Sequence, residues 1–260
     1  MKIIVCIKQV PETTEVRINP ETNTLIREGV KSIVNPFDMY AIEEGVRLKE
    51  KFGGKVTVIS MGPPQAEAVL REAISLGADE GILICDRSFA GSDTWATSYT
   101  LAGAIKKLTP FDLIICGKQA SDGDTAQVGP GISAHLDISQ VTYVKKVKEV
   151  KEGSMRLERL MEEGFEVIET PLPALITVVK EINEPRLPSL KGMMRAKSAK
   201  ITTWTQKELA LDAQGIGLCG SPTQVVKIFT PPVRTSGQRL FGDVPEVASR
   251  LVQLLKPEIP

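Results

Sequence analysis

The stretch Leu113-Ile114-Ile115-Cys116-Gly117-Lys118-Gln119-Ala120-Ser121-Asp122-Gly123-Asp124-Thr125-Ala126-Gln127-Val128-Gly129-Pro130 changes its pattern twice. Leu113 to Cys116 is a short β-branched run that stops at Gly117. A polar loop follows, with two acids around Gly123. From Thr125 the pattern predicts a helix over Thr125 to Leu136. Strand, glycine-bearing loop and helix start in this order make a cradle for an anion, because the first N–H groups of a helix have no partner within it.

The same alternation extends outward. Ile3 to Ile7, Lys55 to Ser60, Gly81 to Cys85 and Asp112 to Cys116 are continuous apolar runs of strand length. Such runs suit strands buried on both faces of a parallel sheet. Helical patterns lie between and after them, over Asp38 to Phe52, Pro64 to Leu76, Asp93 to Leu108 and Thr125 to Leu136. Gly53-Gly54 and Gly77 close the first two. The chain therefore predicts an α/β fold, a doubly wound, mostly parallel sheet with helices on both faces. A small hairpin over Val16–Ile26 interrupts the first crossover. After Gln140 the grammar becomes antiparallel, with strands over Val141 to Val150, Met155 to Leu160 and Phe165 to Glu169. One more buried strand covers Pro173 to Val179. Residues 1–183 read as the nucleotide-binding domain, with the hairpin region at about 141–170. Residues 184–260 read as an extended C-terminal arm with little regular pattern. Leu187 to Lys200 and Gly215 to Pro232 cannot form a core of their own, and a partner subunit is the natural support.

Composition narrows the function. The 260 residues carry 32 basic and 32 acidic side chains. That balance gives no support for nucleic acid as a partner. No apolar run approaches the roughly 20 residues of a membrane span. Met1 leads straight into a strand pattern without a signal peptide, so the expected location is cytoplasmic. Cys6, Cys85, Cys116 and Cys219 lack CxxC spacing and His135 is the lone histidine, so no metal site is expected. No residue is assigned a catalytic role, and Ser-His or Cys-His chemistry would rest on His135 alone.

Ligands in such a sheet lie beyond the carboxyl ends of the strands. The loops there start at Lys8-Gln9, Ser60-Met61-Gly62, Asp86 to Ser92 and Gly117 to Asp124. Asn35-Pro36-Phe37-Asp38 adds a fifth element, with Asn35 as N-cap and Pro36 as first helical residue; this is also how any helix starts. Asp122 and Asp124 would cap the helix after Gly123, or one of them would face a ribose hydroxyl. Phosphates would then meet the N–H groups of Thr125 to Val128 and the Thr125 hydroxyl, with Gly129 and Pro130 keeping the next turn slim. Neither GxGxxG after the first strand nor GxxxxGK[ST] occurs, which argues against a Rossmann NAD site and P-loop hydrolysis.

Lys8-Gln9-Val10, Asn35-Pro36-Phe37-Asp38, Met61-Gly62-Pro63, Leu76-Gly77-Ala78-Asp79, Gly117-Lys118-Gln119-Ala120, Pro171 to Thr177, Asn183-Glu184-Pro185-Arg186 and Met193 to Lys197 together resemble the β subunit of electron transfer flavoprotein. The resemblance covers nearly the whole chain. It implies a heterodimer with an α subunit that carries one FAD, while the β subunit holds a nucleotide of its own. That nucleotide is AMP in ordinary members and a second FAD in electron-bifurcating ones. Asp122 to Pro130, Ser92 to Ser98 and Gly220 to Val225 resemble the bifurcating version.

The site residues it implies are Cys6, Asn35, Asp38, Met61, Gly62, Thr94, Thr97, Asp122, Gly123, Asp124, Thr125, Ala126, Gln127, Val128, Gly129, Pro130, Gly131 and Ser133. Glu184 to Lys200 resembles the loop that docks on partner dehydrogenases, with Leu190 as anchor beside Met193, Met194 and Arg195. The function so implied is that of a redox subunit within an NADH-dependent complex. NADH is the donor. Ferredoxin or flavodoxin, and an acyl-CoA or hydroxy-acid dehydrogenase, are the acceptors. The alternatives are an ordinary electron transfer subunit with structural AMP and a nucleotide-binding regulatory module without a redox role.

Overall fold

The computed structural model describes residues 1–12, 32–226 and 237–256, with the backbone of two short strands between the first two ranges. The chain runs β1 (Lys2–Cys6), β2 (Gln9–Pro11), β3 (Arg17–Ile18), β4 (Leu25–Ile26) and β5 (Ser32–Val34) into helix α1 (Pro36–Phe52). Then come β6 (Lys55–Met61), α2 (Glu67–Leu76), β7 (Glu80–Ile84), α3 (Thr94–Lys106), β8 (Leu113–Gly117) and α4 (Val128–Leu136). The second half adds β9 (Ser139–Lys151), β10 (Ser154–Met161), β11 (Gly164–Pro171), β12 (Ala174–Val178), α5 (Leu190–Ser198), β13 (Thr202–Trp204), α6 (Gln206–Leu209) and α7 (Val244–Leu255).

Nine strands form one sheet in the order β11-β10-β9-β12-β8-β1-β6-β7-β13. From β9 to β13 along that order every pairing is parallel. β10 and β11 continue it as an antiparallel hairpin. The doubly wound α/β architecture expected from the sequence is therefore the one observed. The expected hairpin before α1 survives as the β3–β4 pair; its turn lies outside the described residues.

Period-two alternation along the central strands builds two cores. Ile3, Val5, Val56, Val58, Leu113 and Ile115 face α1 and α2, packing on Ala41, Ile42, Val46 and Leu70. Ile4, Cys6, Ile59, Ile82, Ile114 and Cys116 face the other way, onto α3 and α4 through Leu101, Ile105 and Ile132.

Several expectations change. Helix α4 begins at Val128, not Thr125. Asp124 and Ala126 adopt φ of +53° and +55°, a left-handed conformation that no helix accommodates. The region after Asn183 is more ordered than its composition suggests. Leu187 to Lys200, expected to need external support, contains α5, which lies on α2 of the same chain. Gly192 allows the approach, since a Cβ there would collide with the Ser75 carbonyl.

The two helices cap one another. Arg71 of α2 donates to the carbonyls of Ala196 (2.6 Å) and Ala199 (3.1 Å) at the end of α5. Arg195 of α5 donates to those of Ile74 (2.7 Å) and Ala78 (2.8 Å) at the end of α2. Each guanidinium thus meets the negative end of the other helix. β13 then joins the sheet edge beside β7, pairing Trp204 with Ile84.

Contacts divide the chain into a compact unit of residues 1–17 and 25–226 and a second of residues 18–24 and 227–260. The second unit contains α7, capped by Asp243, whose side chain accepts from the Glu246 N–H. Leu251, Leu254 and Leu255 of that helix are each nearly half exposed. Among the described residues no helix is long and apolar enough to cross a membrane.

Ile114 is fully buried in β8, between β1 and β12. Ile114→Ala should lower the unfolding free energy by about 2–5 kcal/mol, read from urea denaturation.

Candidate functional site

The strand order reverses at β1, which has β6 on one side and β8 on the other. α1 covers one face and α4 the opposite one. The chain leaving β1 and the chain leaving β8 thus lead to opposite faces, the arrangement in which such sheets offer a crevice beyond the carboxyl ends of the two strands.

A buried polar knot forms its floor. Asn35 is fully buried at the head of α1, yet its side chain does not cap that helix. Instead Nδ2 donates to the Gln119 carbonyl at 2.8 Å, and Oδ1 accepts from the Ser121 N–H at 3.0 Å. Asn35 thus fastens the β8–α4 loop to α1. Asp38, also buried, accepts from the Lys8 N–H at 2.7 Å. Burial pushes its carboxyl up to about 7, and hydrogen bonds from Asn35, Lys8 and Gly117 limit the rise. Gly117 has to be glycine, because a Cβ there would lie 2.7 Å from the Phe37 carbonyl carbon.

Above this floor lies an exposed shelf. Asp122 and Asp124 were expected to cap α4 or to face a ribose. Neither caps it: the N-cap position is Gln127, which makes no side-chain cap. Asp122 is held by Lys8, whose Nζ donates to both carboxylate oxygens at 2.6 and 2.7 Å. Asp124 is held by the Gln119 amide. By helix geometry the N–H groups of Val128 and Gly129 have no intrahelical partner, and Pro130 has no N–H to offer. Gly129 and Gly131 keep α4 close, since their Cβ atoms would meet Thr177 at 2.8 Å and Ser98 at 2.5 Å. Gly123 differs, for a Cβ there meets nothing within 4 Å.

The head of α3 forms the far wall. Asp93 caps that helix by accepting from Trp95 and Ala96 N–H groups at 2.9 and 3.0 Å. Its other oxygen accepts from the Thr223 N–H and hydroxyl at 3.0 and 2.8 Å. Burial alone would raise this carboxyl, but hydrogen bonds from Ala96, Thr223 and Trp95 hold it below its ordinary range. Thr94 lies 3.5 Å from Thr125, hydroxyl to hydroxyl. The structure thus joins the Ser92–Ser98 and Gly220–Val225 segments, far apart in sequence, beside the shelf.

Other expected residues lie deeper or apart. Cys6 and Cys116 are buried neighbours in register, and contact with Cys6 together with burial pushes the Cys116 thiol up. Ser133 is buried and donates to the Ile138 carbonyl at 2.7 Å. Thr97 lies within the first turn of α3, donating its N–H to the Asp93 carbonyl. Gly62 follows Met61 at the end of β6 and gives its N–H to the Ile84 carbonyl. Leu190, Met193 and Met194 are exposed on α5, while Arg195 turns its guanidinium inward onto α2. Lys8 was missing from the expected site residues. Its signal was a basic residue directly after the central strand.

The chain is similar over most of its length to known proteins. A family model described as electron transfer flavoprotein domain matches residues 22–209. An electron transfer flavoprotein subunit beta of Thermoanaerobacterium thermosaccharolyticum is 53% identical over 256 residues, covering 98% of both chains. One of Clostridium acetobutylicum is 50% identical over 258 residues, covering 99% of both. The caffeyl-CoA reductase-Etf complex subunit CarD of Acetobacterium woodii is 50% identical over 258 residues, covering 98% of both.

The buried Asp38 carboxyl links stability to pH. Its value rises on folding from 3.8 to about 7, so its protonated form stabilises the fold. That contribution is fully present below about pH 4 and lost as pH rises through about 7, a change of about 4 kcal/mol. The melting temperature of the native chain relative to Asp38→Asn should therefore fall between pH 5 and 8. A constant difference across that range would contradict the assignment.

Proposed function

The chain belongs to the electron transfer flavoprotein family, as a β-subunit-type member, and from that membership we propose that its crevice binds FAD and serves flavin-based electron bifurcation. The observation that carries the reading is the open shelf between β1, β8 and the head of α3. The unpaired N–H groups of Val128 and Gly129 suit a phosphate. The Thr94 and Thr125 hydroxyls, close together beside them, suit the polar edge of a ring system or a ribose. Asp124 and Ala126 hold left-handed backbone at an expected cost of order 1–3 kcal/mol each, a strain typical of ligand-shaping loops.

Bound FAD would supply the chemistry, taking a hydride from NADH and passing its electrons on singly. The chain's own part is to hold and orient it. Asp122 to Gly131 would frame the phosphates and ribose, while Thr94 and Thr97 would border the ring. Asn35 and Asp38 would keep the loop in place from below, with Cys6 buried beneath and Met61 and Gly62 beside them. In this reading a cytoplasmic αβ heterodimer splits the electron pair. Ferredoxin or flavodoxin would accept one electron, and an acyl-CoA or hydroxy-acid dehydrogenase, reached by way of the α subunit, would accept the other. The name of the Acetobacterium relative, a subunit of a reductase–Etf complex, is in keeping with such an assembly. The apolar stripe of α7 suits packing on the α subunit, and Leu187, Leu190 and Met194, all strongly exposed, suit docking on the dehydrogenase.

Denaturing the purified heterodimer should release two FAD and no AMP. One FAD with one AMP would make the chain an ordinary electron transfer subunit. Gly123→Val should fold normally, since its side chain meets open space, yet lower the flavin content of the dimer; full flavin content would remove this loop from the site. Leu190→Ala should slow electron transfer to the dehydrogenase at least about tenfold, with bound flavin unchanged. An unaltered transfer rate would place docking elsewhere.

A further inference from the structure

This inference rests on the reading of the crevice as a nucleotide site and adds a residue to it. Lys8 leaves the carboxyl end of β1, where the strand order reverses. Its ammonium is chelated by both oxygens of Asp122, at 2.6 and 2.7 Å. Both side chains stay open to solvent, 47% and 34% exposed. Other charges around the crevice are engaged differently. Asp124 is held by Gln119 and Asp93 by Thr223 and the α3 backbone. The Lys118 ammonium lies over the rings of Phe37 and Tyr143, at 5.9 and 5.3 Å.

We propose that Lys8 is the phosphate-ligating cation of the crevice, and that Asp122 is an internal anion that keeps its place until a nucleotide phosphate displaces it. An ion pair this exposed is weak, so the exchange of one anion for another costs little. A phosphate offers the ammonium more charge and more acceptor oxygens than a carboxylate does. The loop has room for the displaced acid, because the space beside Gly123 is open. The exchange also resolves a conflict of charge. A phosphate entering beside Asp122 and Asp124 would be repelled without a cation, and Lys8, already paired with Asp122, is a cation at hand.

The test uses the full chain copurified with its α subunit, with the α-subunit FAD kept in place and the crevice emptied of nucleotide. Adenosine, AMP and ADP are titrated in by calorimetry at low salt. Lys8→Met should weaken the two phosphate-bearing probes about 10- to 100-fold and leave adenosine unchanged. Lys8→Arg should restore most of the loss. Asp122→Asn should tighten the phosphate-bearing probes severalfold, because it removes the competitor while keeping the side chain's shape. Unchanged phosphate affinity in Lys8→Met overturns the proposal. So does an equal loss for adenosine, which would mean a structural role. Weaker binding in Asp122→Asn would make Asp122 a ligand and overturn the exchange. If the unmodified dimer binds none of the probes, the nucleotide reading itself falls, and this inference with it.

Discussion

The crevice depends on a buried carboxamide. Asn35 has no solvent contact, and both ends of its amide reach the backbone of a loop more than 80 residues away. An unpaired polar group at that depth would cost about 1–3 kcal/mol. The loop after β8 is therefore not free to choose its path. It passes where the amide is satisfied, and its acids and glycine then rise above the sheet. Asp38 acts beside it, accepting from the first peptide beyond β1. Two strands and a helix meet at this point, and the polar knot ties them together.

The α2–α5 pair shows the same economy in another place. Late in the chain, α5 has only Ala196 buried, too little to hold nine residues by apolar contact. The paired arginines provide the attachment instead, each using the carbonyl groups that a helix end leaves without partners. The preceding segment is fastened likewise. Arg186 reaches Glu43 and Glu50 of α1, at 2.8 and 2.6 Å, and Asn183 donates to the Tyr40 carbonyl at 3.0 Å. Burial would raise the Glu43 carboxyl, but hydrogen bonds from Arg186 and Arg47 outweigh it and hold it below its ordinary value. Attachment through backbone carbonyls and ion pairs leaves the apolar side chains of α5 pointing outward, and Leu190 is 78% exposed.

Much of this was legible in the residues. Buried parallel strands announce themselves as continuous β-branched runs, and Ile3, Val58, Ile82 and Leu113 lie in runs of that kind. The shelf was legible because Gly117 breaks such a run and two acids follow. Three things were not. The start of α4 was placed too early because alanine at 126 carries no signal for left-handed backbone and aspartate at 124 only an occasional one. β13 is three residues long, and its pairing is set by a strand far away in sequence, which no local pattern encodes. Asn35 was read as a helix cap because local preference favours that use, and the longer-range bonds to Gln119 and Ser121 won.

The open position of Gly123 separates two kinds of selection within one chain. The core ends at Gly117, pressed on Phe37, and resumes at Gly129, pressed on Thr177. The residues between are joined to the rest by a few polar bonds from Asn35 and Lys8 and to the Val178 carbonyl, and by the rings beside Lys118. Substitutions there cost the fold little, whereas those on either side cost it much. Sequence change can thus collect in this loop while the sheet beneath it keeps its packing, so new contacts can be tried above the sheet without first acquiring a more stable core.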